Sequence, residues 1–282
     1  MQLGLKASTD EQQIDNRLQH HPDVFEFHLT EADFTPAGWA HFEAMVAKVQ
    51  AVVPRVVFHH PMKYQGLRCE LCVNKLAYPA LYEFVMTSSK RLIEFAKQVG
   101  AVALIHGGYG RHRGEHDFTS DWPDLATAQK VVLGRMVDFT AMAPDNVVFE
   151  NSILPVFAYG DPAFEAKLLA LQLPLAFDVS HAFIYVHGDN NRLIASMRHL
   201  RPFVRHYHLV DSMGLTHDSL IVGNGAINWR RVLHAMNSNA SMIYEINLAN
   251  QWDCSEMLAS QWYLEQLAEK DQSENQSGAK RV

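Results

Sequence analysis

The chain has 282 residues, 48% of them hydrophobic and 20% charged, with a formal net charge of −7. That length and apolar content can bury one large core without division into two domains, and the negative balance offers no general attraction to phosphate backbones, which disfavours nucleic acid as a partner. Met1 to Lys6 leads straight into a polar stretch, no apolar run reaches membrane length, and Cys69, Cys72 and Cys254 cannot form a disulfide framework, so a soluble cytoplasmic protein with ordinary thiols is expected.

In chain order, strand-like apolar runs fall at Leu3 to Lys6, Val24 to His28, Val56 to His59, Val102 to His106, Val147 to Glu150, Leu175 to Val179, Val204 to Leu209 and Met242 to Ile246. Between them, apolar residues recur at spacings of three and four over Trp39 to Val52, Leu81 to Val99, Ala126 to Met142, Ala163 to Leu171, Arg192 to Leu200, Trp229 to Met236 and Glu256 to Leu267; Glu11 to Leu18 carries the weakest such pattern. Eight buried strands alternating with amphipathic helices predict parallel βαβ units closed into a (β/α)8 TIM barrel spanning residues 1–269. An open doubly wound sheet is disfavoured because no Gly-x-Gly-x-x-Gly turn follows the first strand. From Lys270 to Val282 the sequence is polar and aperiodic, so a disordered tail is expected.

Four of the runs carry a candidate metal ligand at their last or next-to-last residue: Glu150, Asp178, His208 and Glu245. Barrel chemistry gathers at the C-terminal ends of the strands, and three carboxylates with one imidazole suit a divalent cation such as Mn²⁺, Zn²⁺, Co²⁺ or Fe²⁺, with Mg²⁺ also open. Singly, each could be a helix cap or an ion-pair partner, but four ionisable groups in one barrel mouth repel and desolvate one another unless a cation holds them. His59 and His106 end two further runs, and His181 follows Asp178 by three residues. Imidazole serves either as a ligand or as a hydrogen-bond donor to substrate. The segment from Gly107 to Asp121 carries Arg111, His112, Arg113, His116 and Asp117, which reads either as a substrate grip and lid or as a solvated polar loop. Tyr64, Tyr109, Trp122, Phe157 and Phe183 read either as aromatic faces for a sugar or as packing.

Five segments in order carry a resemblance: Phe149-Glu150-Asn151, Asp178-Val179-Ser180-His181, His206-Tyr207-His208-Leu209-Val210-Asp211, Gly223-Asn224-Gly225-Ala226-Ile227-Asn228-Trp229 and Tyr244-Glu245. Over about residues 1 to 268 the chain resembles the xylose isomerase-like TIM-barrel superfamily, which holds sugar isomerases and epimerases, inosose dehydratases and endonuclease IV-type enzymes. The resemblance implies that Glu150, Asp178, His208 and Glu245 occupy the metal-ligand positions, that His59 and His106 are candidates for a second ion, and that His181 and His217 are candidates for accessory contacts to metal or substrate. Two departures stand out. Where the nuclease-type branch has an Asp-x-His pair, this chain has His217 and Ser219, and between Asp211 and His217 it lacks the arginine of the ketohexose epimerases.

The expected activity is a metal-dependent isomerisation or epimerisation of a sugar or polyol-derived small molecule. Proton abstraction beside a carbonyl would be carried by Glu150 and Glu245, with His181 orienting the substrate. A metal-dependent lyase, dehydratase or hydrolase on the same ligands and a nonenzymatic metal- or sugar-binding barrel stay open, as does assembly into a homo-oligomer.

Overall fold

The computed structural model describes residues 1–109 and 114–279. The elements run β1 (Gly4–Ala7), α1 (Glu11–Leu18), β2 (Val24–His28), α2 (Pro36–Gln50), β3 (Arg55–His59), β4 (Lys63–Tyr64), β5 (Leu67–Arg68), α3 (Pro79–Val99), β6 (Val102–His106), α4 (Leu125–Met142), β7 (Val147–Glu150), α5 (Pro162–Leu171), β8 (Leu175–Asp178), α6 (Val179–Tyr185), α7 (Asn190–Leu200), β9 (Val204–Leu209), α8 (Trp229–Ala235), β10 (Ser241–Tyr244) and α9 (Ser255–Ala279). Eight of the strands form one parallel sheet in the order β1-β2-β3-β6-β7-β8-β9-β10, a (β/α)8 TIM barrel as the alternation of runs predicts. The small antiparallel β4–β5 hairpin and the short α6 were not among the expected elements. The helix α9 continues through the polar segment after Lys270 as far as Ala279, where a tail without structure was expected.

At the seam, β1 lies so close to β10 that a Cβ on Gly4 would come within 1.7 Å of the Met242 carbonyl oxygen. Glycine is therefore required there for close backbone approach.

The strands alternate between two covered faces. Outward residues such as Phe25, Phe27, Phe58, Phe149, Phe177 and Tyr207 belong to the large core beneath the helices. Inward residues Val24, Val57, Leu104, Val148, Ala176 and Ile243 make a separate apolar plug inside the barrel. Because side chains repeat with period two, the residue two positions beyond a plug residue stands on the same face, one layer nearer the C-terminal mouth. Applied to Val57, Leu104, Val148, Ala176 and Ile243, this step reaches His59, His106, Glu150, Asp178 and Glu245.

Candidate metal centre

Every barrel strand delivers an ionisable side chain to one layer above the plug: Lys6, His28, His59, His106, Glu150, Asp178, His208 and Glu245. Glu150 sits between two groups. On one side its Oε2 is 2.8 Å from His106 Nε2 and 3.7 Å from His59 Nε2, while the two imidazole nitrogens stand 3.1 Å apart. On the other side its Oε1 is 3.2 Å from His208 Nδ1, which is also 2.7 Å from Glu245 Oε2. Ligand atoms of Glu150, Asp178, His208 and Glu245 all lie within 4.8 Å of one another, as do those of His59, His106 and Glu150 and those of His28, His59 and Glu245. The residues expected to hold a first ion and those expected to hold a second thus come together, sharing Glu150.

The protonation pattern tests whether these residues fit a cation. His59 Nδ1 lies 2.8 Å from the His60 carbonyl oxygen and His106 Nδ1 lies 3.4 Å from that of Gly108. Each Nδ1–H has a backbone acceptor, which leaves the Nε2 lone pairs facing each other and the Glu150 carboxylate. His208 Nε2 lies 3.0 Å from Glu26 Oε2, which turns the Nδ1 lone pair toward Glu150 and Glu245. Both Glu150 oxygens, Asp178 Oδ2 and His208 Nδ1 are buried without a well-directed hydrogen bond, despite the short separations. Nitrogens and carboxylate oxygens that converge without well-directed hydrogen bonds are a poor hydrogen-bond network and a good divalent-cation cage, in which the cation would displace the proton that His208 holds in its absence. A mixed nitrogen and carboxylate donor set fits Zn²⁺, Mn²⁺, Fe²⁺ or Co²⁺ better than Mg²⁺.

Without a cation, the protein's own charges partly compensate. Burial pushes the Glu150 carboxyl up, but His106 and His208 outweigh it and hold it well below the usual carboxylate range. Burial likewise works against Glu245, and Lys6 and His208 override it; Lys6 Nζ donates to Glu245 Oε1 at 2.7 Å. Burial would lower His208, yet Glu150 and Glu26 hold it well above its ordinary value. Asp178 differs, since burial raises its carboxyl to about 6. His28 is half-buried, and desolvation, with His59 and Lys6 beside it, lowers it to about 3, so it stays neutral at pH 7.

Asp178 also caps α6, its Oδ1 accepting from the His181 backbone N–H at 2.6 Å. That cap fixes His181 over the site, with Nδ1 2.8 Å from the Asn151 carbonyl oxygen and Nε2 2.9 Å from His217 Nε2. Asn151 clamps the same corner through its side-chain amide, which bonds both backbone polar groups of Asp178. Above these residues opens a cleft of about 1010 Å³ lined by Lys6, Arg68, His181, His217 and Ser219 among others. Tyr109 lies in its wall, stacked on His106 with ring centroids 4.1 Å apart.

Other expected contacts fall elsewhere. His116 pairs with Asp121 at 3.0 Å and Asp117 caps the short turn at Phe118–Asp121, so neither lines the cleft. Arg111, His112 and Arg113 lie outside the described residues. Of the five aromatics, Tyr109 alone lines the cleft: Phe157 and Phe183 are core, Tyr64 stacks on Phe84, and the Trp122 indole donates to the Cys72 carbonyl. All three cysteines are buried and stand outside any disulfide. Lys6, His28 and Glu26 are site residues that the strand-end reading passed over.

No protein-family model matches the sequence, and no curated protein sequence does. Solved structures share its fold. A D-tagatose 3-epimerase-like protein matches with a TM-score of 0.67 at 16% identity, covering 97% of this chain and 99% of that one. The TTHB071 protein from Thermus thermophilus, soaked with ZnCl₂, matches at 0.65 and 18%, covering 96% and 99%. An L-ribulose 3-epimerase matches at 0.62 and 14%, covering 96% and 97%. The resemblance to xylose isomerase-like barrels therefore holds for the fold. Among the described residues no helix is long and apolar enough to cross a membrane.

Proposed function

We propose that this protein is a divalent-metal-dependent sugar isomerase or epimerase that moves a proton on the carbon beside a carbonyl. The observation that carries the reading is the pair Glu150 and Glu245, two ionised carboxylates that both approach His208 Nδ1, Glu245 lining the cleft and Glu150 buried beneath it. The epimerase names among structures of the same fold support the substrate class.

Glu150, Asp178, His208 and Glu245 would hold the principal cation, with His59 and His106 joining Glu150 for another. When bound, such a cation supplies positive charge that stabilises charge developing on the carbonyl oxygen. The chain's own groups do the rest. Glu245, kept ionised by Lys6, would take the proton from carbon and, in an isomerisation, return it to the neighbouring carbon. An epimerisation would need Glu150, ionised at rest, first to take a proton from water and give it to carbon from its own side, with Glu245 then releasing its proton to water. His181, held by Asn151, orients a substrate hydroxyl, and Tyr109 closes the wall of the cleft.

Incubation of wild-type protein with keto-sugars in D₂O should place deuterium beside the carbonyl, read by loss of the proton signal. Glu150→Gln or Glu245→Gln should cut the exchange by about 10²- to 10⁴-fold, with metal content measured in the same samples. A metal-replete Glu245→Gln variant with undiminished turnover would remove its acid/base role. A second reading, metal-assisted hydrolysis, is favoured by the His59–His106–Glu150 group beside the first, because paired cations sharing a carboxylate suit attack by water. Phosphodiester cleavage without carbon-bound exchange would move the assignment there.

A further inference from the structure

Beneath the ligand layer the barrel interior is not uniformly apolar. Glu26, two residues before His28, and His206, two before His208, face the plug, and both are buried. Glu26 Oε2 is 3.0 Å from His206 Nε2 and 3.0 Å from His208 Nε2. His206 Nδ1 in turn lies 2.7 Å from the Ser241 hydroxyl. An ionised carboxylate at this depth costs several kcal/mol of desolvation. Glu26 Oε1 has no hydrogen-bond partner to offset it. In register with Glu26 and His206, the neighbouring strands β3 and β8 carry the apolar plug residues Val57 and Ala176, so packing does not require the carboxylate.

The reason lies in His208. His59 and His106 each hand the nitrogen turned away from the site to a backbone carbonyl at a strand end or in a loop. His208 lies within β9, paired to β8 on one side and β10 on the other, where the backbone is committed to the sheet. It needs a side-chain acceptor from across the barrel. We propose that Glu26, seated by His206 and Ser241, is the positioning residue that holds His208 with Nε2–H on the carboxylate and Nδ1 presented to Glu150 and Glu245. An ionised carboxylate only accepts, so His206 and His208 both place Nε2–H on the same Glu26 oxygen, while the Ser241 hydroxyl, which also reaches the Arg205 carbonyl at 3.3 Å, seats the far nitrogen of His206. The role rests on reading the Glu150 cluster as a cation site. The same three residues could instead ligate an ion of their own, since their ligand atoms also lie within 4.8 Å. That arrangement would sacrifice both hydrogen bonds.

The full chain is tested with Zn²⁺ as probe, using Glu26→Gln and Glu26→Leu. Glutamine can keep its carbonyl oxygen where Oε2 stands, but it removes the carboxylate charge and leaves a buried amide NH2 at the partnerless Oε1 position, so it weakens the lock with little change in volume, whereas leucine removes the acceptor altogether. Zn²⁺ affinity, from competition with a chelator, should fall about 10- to 100-fold in Glu26→Gln at unchanged stoichiometry. In the metal-free protein, histidine-selective ¹⁵N NMR should find two exchange-protected, low-field Nε2–H signals. Both should move upfield in Glu26→Gln, where the acceptor is uncharged, and both should be lost in Glu26→Leu. Wild-type affinity in Glu26→Leu, or both signals intact there, overturns the proposal. Loss of one whole ion per chain, the others keeping their affinity, also overturns it by making Glu26 a ligand. Failure of wild-type protein to take up Zn²⁺ would count against the cation site, leaving the NMR signals to decide the role of Glu26.

Discussion

Asp178→Asn separates the two tasks of one side chain. Asp178 caps α6 through Oδ1, and asparagine is an equally good cap, so the hydrogen bond to His181 N–H survives. Its Oδ2 is buried without a partner, and burial lifts the carboxyl from 3.8 to about 6. The folded chain then holds this proton more tightly than the unfolded chain does. Below 3.8 both states are protonated and the group contributes nothing. As pH rises from 3.8 to about 6 the unfolded state ionises first, and above about 6 the folded state carries the full penalty. The distance from 3.8 to about 6 corresponds to roughly 3 kcal/mol.

Metal-free Asp178→Asn should therefore be more stable than metal-free wild type at pH 8, by up to about 3 kcal/mol or several degrees in Tm. The advantage should shrink as pH falls from 6 toward 3.8; the pH dependence of unrelated groups cancels in the difference. With Zn²⁺ or Mn²⁺ the order should reverse. A ligand at about a thousand times its Kd adds about 4 kcal/mol to wild type, and the variant, having exchanged a carboxylate for an amide, gains less. Melting both proteins at two pH values, with chelator and with metal, checks all four points. A metal-free variant less stable than wild type at pH 8 would refute the burial argument. Equal metal-induced gains in both proteins would remove Asp178 from the ligand set.

Two further outcomes follow from the geometry. His106→Ala or His59→Ala should lose one ion per chain while Glu150, Asp178, His208 and Glu245 keep another, as measured by metal analysis of purified protein; wild-type content saturating at one ion with full activity would return both histidines to substrate-binding or structural roles. Asp211→Ala should destabilise by about 3–5 kcal/mol in denaturant unfolding, because the buried carboxylate accepts from Gly223 N at 2.8 Å, Ile227 N at 3.3 Å and Trp229 Nε1 at 2.7 Å, and all three donors would be left unpaired.

The barrel was legible because its strands are short, apolar and separated by stretches of helical period, and even the weakest pattern, Glu11 to Leu18, is a helix with Asp10 as its cap. The hairpin at Lys63–Tyr64 and Leu67–Arg68 was not, since two-residue strands carry no periodicity; a Gly66 with φ of +82° at its turn was the available signal. The convergence of the strand-end candidates was legible for a different reason. An ionisable residue closing an apolar run has nowhere to go in a barrel except the mouth, so Glu150, Asp178, His208 and Glu245 could be placed by position alone.

Lys6, His28, Glu26 and His206 escaped that logic because they belong to strands read for their apolar content. Val24-Phe25-Glu26-Phe27-His28 and His206-Tyr207-His208-Leu209 alternate apolar and polar residues, a pattern that in an open antiparallel sheet marks one wet face. In a barrel both faces are covered: the helices take Phe25, Phe27, Tyr207 and Leu209, so the polar set must point into the interior. Alternation on a strand with no exposed face is thus a sign of buried chemistry. The two strands that carry it here are those whose side chains meet across the barrel at Glu26, His206 and His208. The plug and the ligand layer follow from one period-two step along each strand, and the polar lock between them follows from the two strands that break the apolar rule one layer early.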